Sequence, residues 1–378
     1  MPGKMRRRGK TGAGLAKETQ ADSSLPLLES ACLQAGVPRA LGLSEELREE
    51  GFFVETIVQQ WRSIHEALFA RVEEALLPLE CAKNIAQSPE ARLRFFAPGL
   101  LARLLSAHPL EALNALKPLA ADESMAVSEA TQAFGVRPQA EFMGSGIVEV
   151  LMQWASDPEA KVRRTAVEAV RPQGVWVKHL RWAVENPALL LPLLGALCCD
   201  DDRKVVNAVA NCLNDISKKN PALVLEVLAQ WNQDNGPKIS PRLAPKALRT
   251  LVKSGDPRAF RALGLDEVEV AAQAKVLGEA VARPNRNLNF SLQVENPAEE
   301  ARMSLVYEIE TPGKNAGRPR RRKRGAGTIF IPGNATTEFT LRVRLFDTQA
   351  APLIAGACKV KFFLNGNPIA EVDFELKR

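Results

Sequence analysis

Two acidic residues near the middle of the chain have surroundings suited to a developing positive charge. Glu168 shares a helical face with Arg164 and Arg171, spaced i, i+4 and i+7. Asp215 closes a row of asparagines, Asn207, Asn211 and Asn214, with the same spacing. Asparagine is a poor helix former because its amide competes for nearby backbone groups. Such a row therefore answers some other demand. One reading is contact with a partner; the other is an amide ladder tying neighbouring helix pairs together. The arginine–glutamate face likewise has a purely structural reading as a solvated, salt-bridged surface. Trp154, Trp176, Trp182 and Trp231 lie in the same region, where an indole is most often core. Trp176 stands apart. It follows the helix-breaking Arg171-Pro172-Gln173-Gly174, eight residues after Glu168, where a ring can stack on a cationic ligand.

Two carboxylates, an aromatic face and arginines are a sufficient set for one reaction. An N-alkylated nucleobase is cationic and has a weakened glycosidic bond. Its hydrolysis develops oxocarbenium character at the sugar C1′, which carboxylates stabilise while they orient or deprotonate the attacking water. The leaving group is already cationic, so no general acid is required. Arginines would hold backbone phosphates. No Ser/His/Asp arrangement, Walker loop or dinucleotide fingerprint is present. The six cysteines form no C-x-x-C pair and there are only three histidines, so neither a zinc site nor any cofactor is predicted. Scattered cysteines in a chain this long fit a reducing compartment.

The elements that must position these residues are helical. From residue 25 to 282, Leu/Ala-rich segments with 3.6-type spacing alternate with Pro, Asp-Pro and Gly; Val54–Leu77, Gly99–Ser106 and Pro221–Gln233 are examples. No period-2 strand is expected in this stretch. Asp157–Glu168 aligns with Asp200–Asn211, and Ser240–Leu251 forms a looser third copy. A repeat near 40 residues, with an acidic turn entering a Val-rich helix, is the signature of HEAT-type helix pairs stacked into a solenoid. In register, Glu168 falls level with Asn211, and Asp215 lies one helical turn further on. Both carboxylates are thus expected to converge on one groove.

Composition changes at Arg283-Pro284. Asn287–Val294, Met303–Ile309, Phe339–Leu345 and Lys359–Phe363 alternate with period 2, and the last pairs with Ile369–Leu376 through Asn365-Gly366-Asn367. Residues 284–378 are predicted to form an immunoglobulin-like β-sandwich, on strand pattern alone. The fold class is therefore mainly α, a HEAT-like solenoid followed by this sandwich. Within it, Arg318-Pro319-Arg320-Arg321-Arg322-Lys323-Arg324 reads as a loop between strands. Six positive charges in seven residues would give a salt-dependent grip on a DNA backbone, or else a disordered charged loop or a localisation tag.

The motifs resemble those of AlkC-type DNA alkylation repair glycosylases. Val162-Arg163-Arg164-Thr165-Ala166-Val167-Glu168-Ala169-Val170-Arg171-Pro172 with Trp176 is similar to the family's "VRR-x-x-S/T-E-G-x-R-P-x-x-x-W". Val209–Pro221 resembles "VANHLNDI-x-K-x-x-P", and Arg249–Pro257 resembles "RTLIKKGDP". The resemblance covers roughly residues 120–265; a branch with a C-terminal immunoglobulin-like domain would account for 284–378. It implies a HEAT-like enzyme that removes 3-methyladenine and 3-methylcytosine from duplex DNA without conventional base flipping. Glu168 and Asp215 would be the catalytic carboxylates. Trp176 would contact the lesion or the adjacent backbone, Arg164 and Arg171 would contact DNA or orient the carboxylates, and Glu129 lies in a segment similar to the family's "VQE…AF"; Asn211 and Trp154 are further candidates for lesion or DNA contact. Arg320, Arg321, Arg322, Lys323 and Arg324 would meet the backbone. The sequence departs from the pattern at Ala169, Cys212 and Val206, which leaves both carboxylates and Trp176 in place.

The formal net charge of +6 suits a polyanionic partner. Residues 1–24 read as a disordered basic arm, with an organelle presequence as a second reading. No run approaches about 18 apolar residues, so no membrane span is expected. A cytoplasmic monomer acting on alkylated DNA is the expectation. The alternative is a non-catalytic repeat module that binds damaged DNA or an acidic protein.

Overall fold

The computed structural model describes residues 25–49, 57–174, 177–233, 239–313, 318–348 and 352–377. The proposed arm at 1–24 and the indole of Trp176 lie outside them. The chain is helical first and β-rich toward its C-terminus. Two compact units are present, one ending at Ala208 and the other beginning at Val209. This boundary falls inside the helix Arg203–Ser217, and not at the change of composition near 283.

Proline starts many of the helices. It stands in the first turn of Pro78–Ala86, Pro109–Ala120, Pro221–Trp231 and Pro257–Ala262, where its missing N–H costs nothing. The acidic turns do two jobs. The Asp157 carboxylate accepts the Glu159 amide ahead of helix Ala160–Glu168, and Asp202 accepts the Lys204 amide at 2.6 Å as the next helix begins. The same turns are also gripped from a neighbouring segment. Lys117 reaches Asp157 at 2.8 Å, and Arg163 takes Asp200 in a two-point contact at 2.6 and 2.9 Å. Asp122 repeats the arrangement upstream, accepting the Ser124 amide and both arms of Arg94. The repeat thus extends one unit further toward the N-terminus than its sequence copies suggest. Val205, Val209, Leu213 and Ile216, the predicted apolar face, are all 2% exposed or less. Burial of each such side chain is worth about 1.5–3 kcal/mol.

The β region contains β1 (Ala271–Val276), β2 (Val281–Ala282), β3 (Asn287–Asn296), β4 (Ala301–Thr311), β5 (Arg320–Ile331), β6 (Ala335–Arg344), β7 (Gly356–Leu364) and β8 (Asn367–Leu376). One sheet runs β1-β3-β6 and the other β2-β8-β7-β4-β5. The two share a core in which Phe290 of β3 meets Phe362 and Phe374 edge-on at 5.8 and 6.1 Å. The expected hairpin is present. Leu364 pairs with Asn367 across Asn365 and Gly366, whose φ angles of 42° and 82° are those a two-residue type I′ turn demands.

Two expectations are corrected. The last helix ends at Ala262, and β1 occupies 271–276, a stretch expected to be helical. Its Ala-Ala-Gln-Ala-Lys-Val sequence has the composition of a helix; what makes it a strand is its ladder with β3, from Ala271↔Glu295 to Val276↔Phe290. The run Arg320–Arg324, expected as a loop, is the first half of β5. A strand asks only that its backbone be paired and its side chains find room. β4 supplies both, setting Glu310 against Arg321 and Glu308 against Lys323. β5 is an edge strand, and charge there also discourages pairing with another chain.

Candidate nucleic-acid site

Glu168 is the last residue of helix Ala160–Glu168 and belongs to the first unit. Its side chain is 14% exposed and accepts a hydrogen bond from Arg171 Nη1 at 2.8 Å. The other arginine of the predicted face is committed elsewhere. Arg164 Nη2 donates to Glu129 Oε1 at 3.2 Å, and Arg164 also lies 3.6 Å from the Met125 sulfur. The two acid–arginine pairs differ in exposure. Glu129 is 55% exposed, whereas Arg171 and Glu168 are both largely covered. A carboxylate held by one guanidinium at the rim of a helix end keeps lone pairs for a further cation or a water.

Behind this pair lies a residue that the sequence analysis did not single out. Arg137, 2% exposed, heads the helix Arg137–Met143. Its guanidinium donates to the carbonyls of Ala169 at 3.2 Å, Arg171 at 2.5 Å and Lys178 at 2.7 Å. It therefore ties the backbone just after Glu168 to that at Lys178. A lone arginine beside Pro138 after Phe134-Gly135-Val136, in an otherwise apolar stretch, was the available signal. Trp182 reinforces the same junction by donating its indole N–H to the Ala140 carbonyl at 2.9 Å.

Asp215 belongs to the second unit and is 3% exposed. Lys218, one turn on, donates to its Oδ1 at 2.8 Å. The asparagine row divides. Asn214 is buried, and its Oδ1 accepts from the Thr250 amide at 3.2 Å and the Thr250 hydroxyl at 2.9 Å, which makes it a rung between helices. Asn207 and Asn211 are half-buried. The ladder reading therefore holds for Asn214. Trp154, expected to face a ligand, is corrected to core: it is 3% exposed on the same helix face as Ile147 and Leu151.

The basic strand has two faces. Arg321 pairs with Glu310 at 2.7 Å, and Lys323 sits 4.5 Å over the Phe363 ring. On the other face, Arg320, Arg322 and Arg324 line a shallow cleft together with Arg344. Burial, then the charges of Arg320 and Arg324, pulls Arg322 below the usual arginine value. Lys253, on helix Arg249–Ser254, is likewise lowered, first by burial and then by Arg324 and Arg249. Cations crowded to the point of lowering one another's basicity favour an anion. Among the described residues, no group of three His, Cys, Asp or Glu could hold a metal, and no helix is long and apolar enough to cross a membrane.

No family model matches the chain. It is 27% identical over 252 residues to the uncharacterized protein YhaZ of Bacillus subtilis (strain 168), a match spanning 65% of this chain and 68% of that protein. Among solved structures it is similar to the Pseudomonas fluorescens alkylpurine DNA glycosylase AlkC bound to DNA containing an abasic site analog. The TM-score is 0.79 at 22% identity, over 96% of this chain and 99% of that one. It is also similar to AlkD2 from Streptococcus mutans, with a TM-score of 0.43 at 21% identity, over 54% of this chain and 95% of that one. The chain thus has an AlkC-like helical repeat fold with a C-terminal β-rich region.

Proposed function

We propose that this AlkC-like fold is a DNA glycosylase for base excision repair. It hydrolyses the N-glycosidic bond of cationic alkylated bases, chiefly 3-methyladenine and 3-methylcytosine, in duplex DNA. The observation that carries this reading is the likeness to AlkC over 96% of the chain, since that relative is an alkylpurine DNA glycosylase captured on DNA. The local chemistry supports it. Glu168 is a carboxylate steadied by one arginine, and its remaining lone pairs can face the positive charge that grows at C1′ as the bond to the base lengthens. Asp215 is the second carboxylate, and either one can take the proton of the attacking water. The base departs neutral once the bonding pair has moved onto it, so no acid is needed. Arg164, Glu129 and Asn211 are assigned to DNA contact, and Trp176 to the lesion or the adjacent backbone. The helical part is taken as HEAT-type and the β part as an immunoglobulin-like sandwich. The protein is taken to act as a monomer in the bacterial cytoplasm, with the nucleoid.

Asp215 also favours a second reading, a repeat module that binds damaged DNA without chemistry. Its carboxylate is buried and bonded to Lys218, an arrangement that stabilises a helix end without any substrate. Release of 3-methyladenine from methylated duplex DNA separates the two. Glu168→Gln or Asp215→Asn should cut release by about 10²-fold or more while DNA binding persists. A wild-type protein that binds DNA but releases no base would leave only the binding module.

A further inference from the structure

The first unit contains a cleft that the glycosylase reading does not use. It measures about 510 Å³ and opens between helix Ile57–Glu73, helix Ala97–Leu104 and the turn Thr131–Val136. Its walls are aromatic. Trp61 and Phe95 lie 5.3 Å apart at 52°, and Phe95 meets Phe96 and Phe134 edge-on at 5.2 and 6.2 Å.

Three observations argue that this space is built for a ligand. The Thr131–Val136 segment is a π-helix, a widened turn that is costly, rare and concentrated at functional sites. Here it supplies Ala133 and Phe134 to the wall. Next, His65 sits in the lining with Nε2 buried and without a hydrogen bond of normal geometry. It is seated over Gly99, where a Cβ would stand 2.4 Å from that nitrogen, so only glycine admits the ring. Burial pulls His65 below the usual histidine value, and the lining therefore carries a neutral imidazole. The third observation is charge. Arg103 is neutralised by Glu66 at 2.8 Å and stacks on Phe69 at 3.5 Å. Arg62, exposed beside Trp61, is a second cation of the lining, and among the described residues no carboxylate is paired with it.

An aromatic slot of this volume lies within the range of small-molecule sites, about 300–1,000 Å³. Aromatic rings in the lining offer π surface to a planar ring laid against them, and a cation at the mouth selects an anionic substituent on it. We propose that this cleft binds a free mononucleotide, with its base against Trp61, Phe95 and Phe134 and its phosphate on Arg62. Stacking supplies the affinity and Arg62 supplies the preference for the phosphorylated form; base identity matters little because every base has a π face. The assignment does not rest on the glycosylase reading.

Calorimetric titration of the full chain tests it with AMP, adenosine and ribose 5-phosphate. AMP is expected to bind with a Kd of about 0.1–1 mM, and the two fragments about tenfold more weakly. Arg62→Gln should bring AMP down to the level of adenosine and leave adenosine unchanged. Trp61→Leu should weaken AMP and adenosine alike. Arg62 is exposed, so its variant keeps the wild-type melting temperature and remains informative even where Trp61→Leu fails to fold. Absence of AMP binding at about 5 mM overturns the proposal, as does AMP affinity that is equal in wild type and Arg62→Gln.

Discussion

At the scale of single residues, Arg137 shows how a buried charge can hold backbone in place. Its guanidinium is enclosed, and its two terminal nitrogens donate to the backbone carbonyls of Ala169, Arg171 and Lys178. Those carbonyls belong to no helix ladder, so the arginine satisfies groups that would otherwise be stranded. Arg137→Met keeps the stem and removes the fork, leaving three acceptors unmet. It should destabilise the protein by about 3 kcal/mol, and Arg137→Lys, a point donor without the fork, should recover only part of that. Chemical unfolding would measure both; a methionine variant as stable as wild type would show that water replaces the guanidinium at no cost. The residues around it were legible to different degrees. Glu168 and Arg171 could be read from helical spacing because they are one turn apart. Arg164 and Glu129 could not, because 35 residues separate them and only the stacking of repeats brings them together. Asn214 could be read either way, and the Thr250 contacts decide for the ladder.

At the scale of elements, local patterns succeed where one signal dominates and fail where two compete. The Asn-Gly hairpin was legible because few other structures tolerate two successive positive φ angles. The strand at 320–331 was not, because a basic run flanked by glycines has the composition of a loop, whereas its pairing with β4 depends on residues nine or more positions away. The π turn at 131–136 leaves no periodic signature. The hairpin also requires a second glycine nearby. Gly366, at φ 82°, lies against Gly255, which ends helix Arg249–Ser254 in the left-handed region at φ 86°. A Cβ on Gly366 would stand 2.7 Å from the Gly255 Cα, a distance that backbone cannot relieve by a rotamer change. Gly366→Ala therefore combines an unfavourable φ with a steric clash and should cost about 2–3 kcal/mol. Ala at Gly278, also at positive φ but with nothing near its Cβ position, should cost only about 1 kcal/mol. Equal thermal shifts in the two variants would mean that the Gly255–Gly366 approach is not a constraint.

At the scale of the whole molecule, the relevant quantity is how charge couples to a polyanion. A formal charge of +6 over 378 residues is modest, so its distribution matters more than its sum. On β5 the cations are not equivalent. Arg321 is occupied by Glu310, and Lys323 by the Phe363 ring. Arg320, Arg322 and Arg324 share a cleft with Arg344, and among the described residues no carboxylate lines it. If DNA is the partner, each phosphate neutralised releases counterions and steepens the salt dependence of binding by about 0.9 in log K against log salt. Replacing Arg320, Arg322 and Arg324 together by Gln should then lower the slope by about 3, whereas replacing Arg321 and Lys323 should change it by less than about 1. Fluorescence anisotropy of labelled duplex across a salt series reads both. The contrast between the two sets is what ties the effect to the strand's geometry. If both lower the slope equally, the run acts as diffuse charge, as the loop expected from sequence would have done. If neither does, this face of β5 does not touch DNA.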